Sequence, residues 1–434
     1  MKQKLYSQRC WIDQRLQEAV ITIENGRVAA IQKGSPARWD DIVNWGSDVL
    51  MPGVIDAHVH INEPGRTDWE GFETATRAAA AGGTTTLVDM PLNASPVTTT
   101  VEALNAKINA SAGKTHVHCK FYGGLVPDNI ANLPELLRTG ILGIKAFLVH
   151  SGIDEFPNVG MAELEAAMPL IARSGLPLLV HCEWEEGRHD AALRARPQSY
   201  SAYLESRPKQ WENAAIERMI DLCRRHQCRV HIVHLSSAEA LPMIVAAREE
   251  GLPLTVETCA QYLYFAAEDI PDGNTLYKCA PPIREKANQN ALKHALAQGW
   301  IDFITTDHSP APPGIKCIDT GDLAKAWGGI AGIQFLLSAA WSALKDSLTL
   351  ENFIPLVTAH PAHFLGLLPR KGVLHPGSDA DIVVWSPEAT FVVEKETVRF
   401  RYPVSPYIGE KLFGTVRQTY ISTPAPHHSC TVSS

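Results

Sequence analysis

Two histidines one residue apart, His58-Val59-His60, close a largely apolar run that begins at position 49. In an extended strand residues i and i+2 point the same way. Both rings can therefore face one side of a strand end and hold one metal ion. The same spacing also arises without function, and His116-Val117-His118 is a second instance in this chain. Position separates them, because the first pair ends its run and the second opens one. Lys145, His181, His234 and Asp307 fall at the ends of four later runs. A single histidine of this kind is more often a satisfied core or loop residue. Ligand-type residues at five strand ends together make a metal centre the better reading.

Lys145 needs separate chemistry, since an ammonium repels cations. Burial favours the neutral amine, which can add carbon dioxide. The resulting N6-carboxylysine is an anion with two oxygens, suited to bridging two metals. A lysine in a salt bridge is the ordinary alternative, and the four histidines and one aspartate around it argue against that.

The elements that must position these residues are short β-rich runs at 49–60, 84–90, 117–121, 142–147, 176–181, 229–234, 252–258 and 301–307. Several are continuously apolar, as in Pro177-Leu178-Leu179-Val180, which suits parallel strands covered on both faces. Helical segments at 69–81, 163–173 and 212–225 lie between them, the first closed by Gly82-Gly83. Eight alternating units predict an α/β fold, a TIM (β/α)8 barrel, whose sites form at the C-terminal strand ends. That places His58 and His60 at the mouth and gives His116 and His118 a structural role. The flanks read differently. Residues 20–31 are two short strands around Asn25-Gly26, a hairpin signal. Residues 372–385 are turn residues leading into a strand, Ile382-Val383-Val384-Trp385. The expected organisation is 1–50 as the first part of a small β domain, 51–370 as the barrel, and 371–434 as the rest of the β domain with a tail. The tail is expected to be loose from Ser422, being rich in Pro, Ser and His without periodicity.

Bulk properties exclude some functions. Lys plus Arg number 39 against 47 Asp plus Glu, a net charge of −8, with no basic cluster. Nucleic acid and anionic membranes are thus disfavoured as partners. Residues 1–14 are polar and mixed, with no signal-like apolar core, and no stretch is long enough to span a bilayer. The nine cysteines are scattered without a CxxC, as expected of reduced thiols in a cytoplasmic protein.

On these residues the chain resembles the cyclic amidohydrolases, comprising dihydroorotases, hydantoinases (dihydropyrimidinases) and allantoinases. The resemblance runs from the N-terminal hairpin to Pro403-Val404-Ser405-Pro406-Tyr407-Ile408-Gly409. It implies two divalent metals, with zinc the leading expectation and manganese, cobalt and iron compatible. His58, His60, Lys145 and Asp307 would hold one, and His181, His234 and Lys145 the other. All six residues keep the family type, unlike noncatalytic relatives that have lost ligands. Asp307 would double as the catalytic proton shuttle. Dihydroorotases carry a carboxylate-clamping Arg where this chain has Asn62, and an Asn where it has Ala280. Hydantoinases usually place a ring-binding aromatic residue after the carbamylated lysine, and Lys145-Ala146-Phe147-Leu148-Val149-His150-Ser151-Gly152 has no such tyrosine. That segment is similar to the allantoinase branch, as are Asn62-Glu63-Pro64-Gly65-Arg66-Thr67-Asp68-Trp69-Glu70-Gly71 and Lys325-Ala326-Trp327-Gly328-Gly329-Ile330-Ala331-Gly332. The implied reaction opens a small cyclic ureide, allantoin to allantoate, with a homodimer or homotetramer as the expected assembly. Asn62, Asn93, Ser151 and Ser309 are the expected substrate contacts, each of which has a loop-capping role as an alternative. Competing expectations are a hydantoinase and a metal-free scaffold.

Overall fold

The computed structural model describes residues 2–422. In chain order its strands are β1 (Lys2–Ile12), β2 (Arg15–Glu24), β3 (Arg27–Lys33), β4 (Ile42–Asn44), β5 (Val49–Pro52), β6 (Val54–Val59), β7 (Thr84–Asp89), β8 (His118–Phe121), β9 (Gly123–Gly124), β10 (Ile144–Phe147), β11 (Leu178–His181), β12 (Val230–Ile232), β13 (Leu254–Cys259), β14 (Phe303–Thr305), β15 (Ile382–Val392) and β16 (Lys411–Tyr420). Strands β6 to β8 pair in parallel, as do β9 to β14, each with the next in the chain. Strands β8 and β9 flank Tyr122 and together make one stave. The ring closes where His308, just past β14, bridges Val59, and its carbonyl accepts the His60 N–H at 2.7 Å. The expected TIM barrel is therefore the observed architecture.

Side chains alternate along each stave. Ile55, Val88, Tyr122, Phe147, Leu179 and Phe303 form the inner cluster, while their neighbours face the helices. The helix Met161–Ser174 shows why the outer layer forms. It buries Leu164, Ala167, Met168 and Ile171, one stripe at i, i+3, i+4 and i+7, and stops at Gly175 with φ 73°. The other predicted helices are observed as Phe72–Ala81 and Lys209–His226.

The flanks form one sheet in the order β16-β15-β5-β1-β2-β3, with β4 alongside β1. The Asn25-Gly26 turn has φ of 53° and 73°, the left-handed pair that a two-residue hairpin needs. Three details differ from the sequence reading. The run at 49–60 is two strands, since β5 pairs with β15 in the β domain and β6 enters the barrel. Gly53 marks the break, and a Cβ there would lie 2.2 Å from Thr85 Oγ1. The polar N-terminus is an inner strand of the sheet, β1, burying Leu5, Tyr6, Cys10, Trp11 and Ile12 against its neighbours. Ser422 is buried and anchored, its N–H and Oγ both donating to Asp381 at 2.8 Å. The rest of the expected loose tail, 423–434, lies outside the described residues. Among the described residues no helix is long and apolar enough to cross a membrane.

Candidate metal centre

The barrel brings all six predicted ligand residues to one cavity at the C-terminal strand ends. His58 lies in β6 and His60 just beyond it, and His181 is the last residue of β11. Lys145 is the second residue of β10 rather than its last. His234 and Asp307 each lie two residues past their strands, with φ of 40° and 45°. A left-handed backbone at a residue other than glycine costs on the order of 1–3 kcal/mol and persists where surrounding structure enforces it. Here it turns two donor side chains back over the barrel mouth.

His58 Nε2 and His60 Nε2 approach Asp307 Oδ1 at 3.1 and 3.3 Å. These three residues offer ligand atoms within 4.8 Å of one another, all buried. Beside them His181 Nδ1 faces His234 Nε2 at 2.9 Å. Lys145 Nζ and His234 Nδ1 are buried without a hydrogen-bond partner among the described residues. Burial pushes the Lys145 ammonium down to about 8, against the attraction of Asp307 and Glu257. Burial likewise lowers His60, His181 and His234, which keeps the imidazoles neutral with lone pairs to donate. His58 moves the other way. Burial disfavours its charge, but Asp307 and Glu257 outweigh that. The convergent donors and the orphaned nitrogens fit metal ions held between them.

The carboxylates behind the histidines were not singled out from sequence. Glu257 Oε1 lies 2.5 Å from His58 Nδ1, and Glu183 Oε2 lies 2.7 Å from His181 Nε2. Each can accept the ring proton on the far side and leave the inward nitrogen free, the usual support of a ligating histidine. Arg207 braces Glu183, with Nε 3.0 Å from Oε1. The signal was present in Leu254-Thr255-Val256-Glu257, an acid within a run that is otherwise apolar or small. His116 and His118 sit away from the centre, paired with Glu73 and Asp381.

The cavity measures about 300 Å³. Asn93, Ser151 and Ser309 line it, and Ala280 and Trp327 contribute to its wall. Asn93 Nδ2 lies 3.3 Å from His60 Nδ1, while its Oδ1 has no partner among the described residues. The Ser151 hydroxyl donates to the Phe156 carbonyl at 2.6 Å and so also serves its own loop. Asn62 does not line the cavity. It is buried, left-handed at φ 67°, and its amide donates to the Pro310 carbonyl at 3.2 Å. Arg207, Lys278 and Lys325 also reach the cavity, and each is already engaged. Arg207 pairs with Glu183, Lys278 Nζ donates to the Ala326 carbonyl at 2.5 Å, and Lys325 meets Asp322 at 3.1 Å.

A parallel barrel with donors of this kind at its mouth belongs to a known class. Residues 49–421 match the amidohydrolase family, and the chain belongs to that family. Within it, the similarity read from the loop segments holds, for allantoinases stand among the curated relatives at 40–45% identity. That of Streptomyces avermitilis is 45% identical over 409 residues, covering 93% of this chain and 90% of that protein. That of Arabidopsis thaliana is 43% identical over 395 residues, covering 88% and 78%. Among solved structures, L-hydantoinase (dihydropyrimidinase) from Arthrobacter aurescens has a TM-score of 0.89 at 28% identity, covering 98% of this chain and 95% of that one. The protein is a cyclic-amide hydrolase of a family with metal centres, and its barrel mouth carries a His58, His60 and Asp307 group whose donor atoms could hold a metal ion.

Proposed function

We propose that this chain hydrolyses the cyclic amide of allantoin to allantoate, a step of purine and ureide degradation. The observation that carries the substrate is the lack of a free guanidinium among the residues lining the cavity, since Arg207 is paired with Glu183. Lys278 is hydrogen-bonded to the Ala326 carbonyl and Lys325 ion-paired with Asp322, and position 62, with its amide turned to the Pro310 carbonyl, puts no cation in the cavity. A neutral ureide suits such a wall better than dihydroorotate. Asn93 Oδ1 and Trp327 Nε1 lack partners among the described residues, an acceptor and a donor for the N–H and C=O groups of the ring. The allantoinase relatives support the same reading.

His58, His60 and Asp307 would hold one ion, His181 and His234 the other, and N6-carboxylysine at Lys145 would join them. When bound, two divalent ions, zinc first and manganese, cobalt or iron with the same donors, supply Lewis acidity and acidify water. Asp307 takes the proton of the attacking water and delivers it to the ring nitrogen as the C–N bond breaks. The water oxygen stays on carbon, so the product carries a new carboxylate. Asn93, Ser151 and Ser309 hold the ring during this transfer. The division into a barrel at 51–370 and β-domain parts at 1–50 and 371–434 belongs to the same proposal. So do a cytoplasmic location, in keeping with the eight free cysteines among the described residues, and assembly as a homodimer or homotetramer.

The test is ring opening of allantoin, hydantoin, dihydrouracil and dihydroorotate by the metal-loaded protein. Allantoin should have the highest kcat/KM by at least about tenfold, which is ~1.4 kcal/mol of transition-state discrimination. A higher value for hydantoin or dihydrouracil would replace this reading with the hydantoinase alternative, which the structural likeness favours.

A further inference from the structure

We infer that the opposite, N-terminal mouth of the barrel binds a small oxyanion, a phosphate or a dicarboxylate. A cavity of about 450 Å³ lies there between the barrel floor and the β domain. Three segments wall it: the start of β8, the loop that leads to Arg370 and Lys371, and the Asn25–Gly26–Arg27 turn of the β domain. His118 and Lys120 line it at alternate positions of one stave, on the face that continues to Tyr122 inside the barrel.

The charges do not balance. Asp381 is saturated by Lys371, by His118 at 3.2 Å, and by the N–H and Oγ of Ser422 at 2.8 Å. Asp379 is shared among Arg370 at 2.9 Å, Lys371 at 3.2 Å and Arg27 at 3.6 Å. Lys120 forms no ion pair with any described residue, and Asp379 is the one acid among the described residues that line the cavity. Four cations, Arg27, Lys120, Arg370 and Lys371, thus face two carboxylates, a surplus of two positive charges (4 − 2) in a chain whose net charge is −8. Burial and the nearby Lys371 and Arg370 push the Lys120 ammonium down, against the weaker attraction of Asp379. Guanidinium and ammonium groups around a half-enclosed space donate best to carboxylate or phosphate oxygens. An oxyanion between Lys120 and Arg370 would bridge the barrel floor to the loop that carries the β domain.

The test is calorimetric titration of the metal-loaded full chain with inorganic phosphate and, separately, succinate, at constant ionic strength. Wild type is compared with Lys120→Gln and Arg370→Gln. Phosphate can also bind at the metal centre, so the diagnostic is the binding component that the substitutions remove. Each should weaken it at least tenfold, while ring-opening activity without added anion stays unchanged. A tighter fit of phosphate assigns a phosphoryl ligand, and a tighter fit of succinate a carboxylate one. Equal affinities in all three proteins, or no saturable binding of either anion, would overturn the inference. Crystals soaked in arsenate provide an independent reading that needs no variant. An anomalous peak between Lys120 Nζ and the Arg370 guanidinium supports the site, and a peak only elsewhere refutes it.

Discussion

Lys145 is a basic side chain in a place that does not suit a cation. It is fully buried, its Nζ has no acceptor among the described residues, and an aromatic ring, Phe147, lies 4.9 Å away. A buried ammonium without partners is costly, and a neutral amine relieves part of that cost. Conversion to a carbamate relieves more, because it turns a repelled cation into an anion among metal donors. Lys145→Ala should therefore lose most bound metal, read by elemental analysis, and reduce turnover by orders of magnitude. A short carboxylic acid in the assay should restore part of both by filling the vacated space. A variant that keeps its full metal complement would remove the bridging role of Lys145.

At the scale of the element, the segment after β14, residues 309–332, supplies Ser309, Ile315, Lys325, Ala326, Trp327 and Gly328 to the cavity wall. Its anchor is Lys316, whose buried Nζ donates to the carbonyls of Lys278, Trp327 and Gly329 at 3.3, 3.1 and 2.8 Å, while burial pushes its ammonium down to about 7. Gly329 packs so closely that a Cβ would lie 2.3 Å from the Ser309 carbonyl oxygen. Hydrogen bonds of this kind are worth about 0.5–1.5 kcal/mol each, and a buried carbonyl left without its donor costs about 1–3 kcal/mol. Lys316→Met leaves the three carbonyls without their donor and loosens the wall that carries Ser309 and Trp327. The expected result is a fall in kcat/KM of about tenfold, mostly through KM, with metal content unchanged. Loss of metal with KM intact would show that Lys316 supports the centre and not the substrate wall.

At the scale of the whole molecule, one carboxylate fastens the barrel to the β domain. Asp381 precedes β15 and takes bonds from Lys371, His118 and Ser422. Burial raises its pKa, but His118 and Lys371 outweigh this and hold the carboxyl near about 2. A depressed acid stabilises the fold above its unfolded pKa, and that contribution is lost as pH falls through the folded value. The displacement corresponds to about 2 kcal/mol, given up between roughly pH 4 and pH 2. Chemical denaturation across that range should show the loss in wild type. Asp381→Asn should begin less stable and show a shallower acid decline. Parallel acid profiles for the two proteins would exclude Asp381 as a titrating clamp.

The sequence alone determined the barrel and the residue types at its mouth. Parallel strands covered on both faces must be apolar throughout, so His58, His60, Lys145, His181, His234 and Asp307 stood out against their runs. The Asn25-Gly26 hairpin was legible for a local reason, a turn that requires left-handed backbone. What the tertiary structure decided is long-range. The pairing of β5 with β15 joins chain ends more than three hundred residues apart, and no local pattern encodes that partner. The contact of Glu257 with His58 spans 199 positions. Asn62 is expected in the cavity because it stands at the position of the dihydroorotase clamp, yet its backbone is left-handed and its amide donates to the Pro310 carbonyl. Periodicity and residue type are properties of short segments, whereas proton partners and cavity walls depend on which segments the barrel brings side by side.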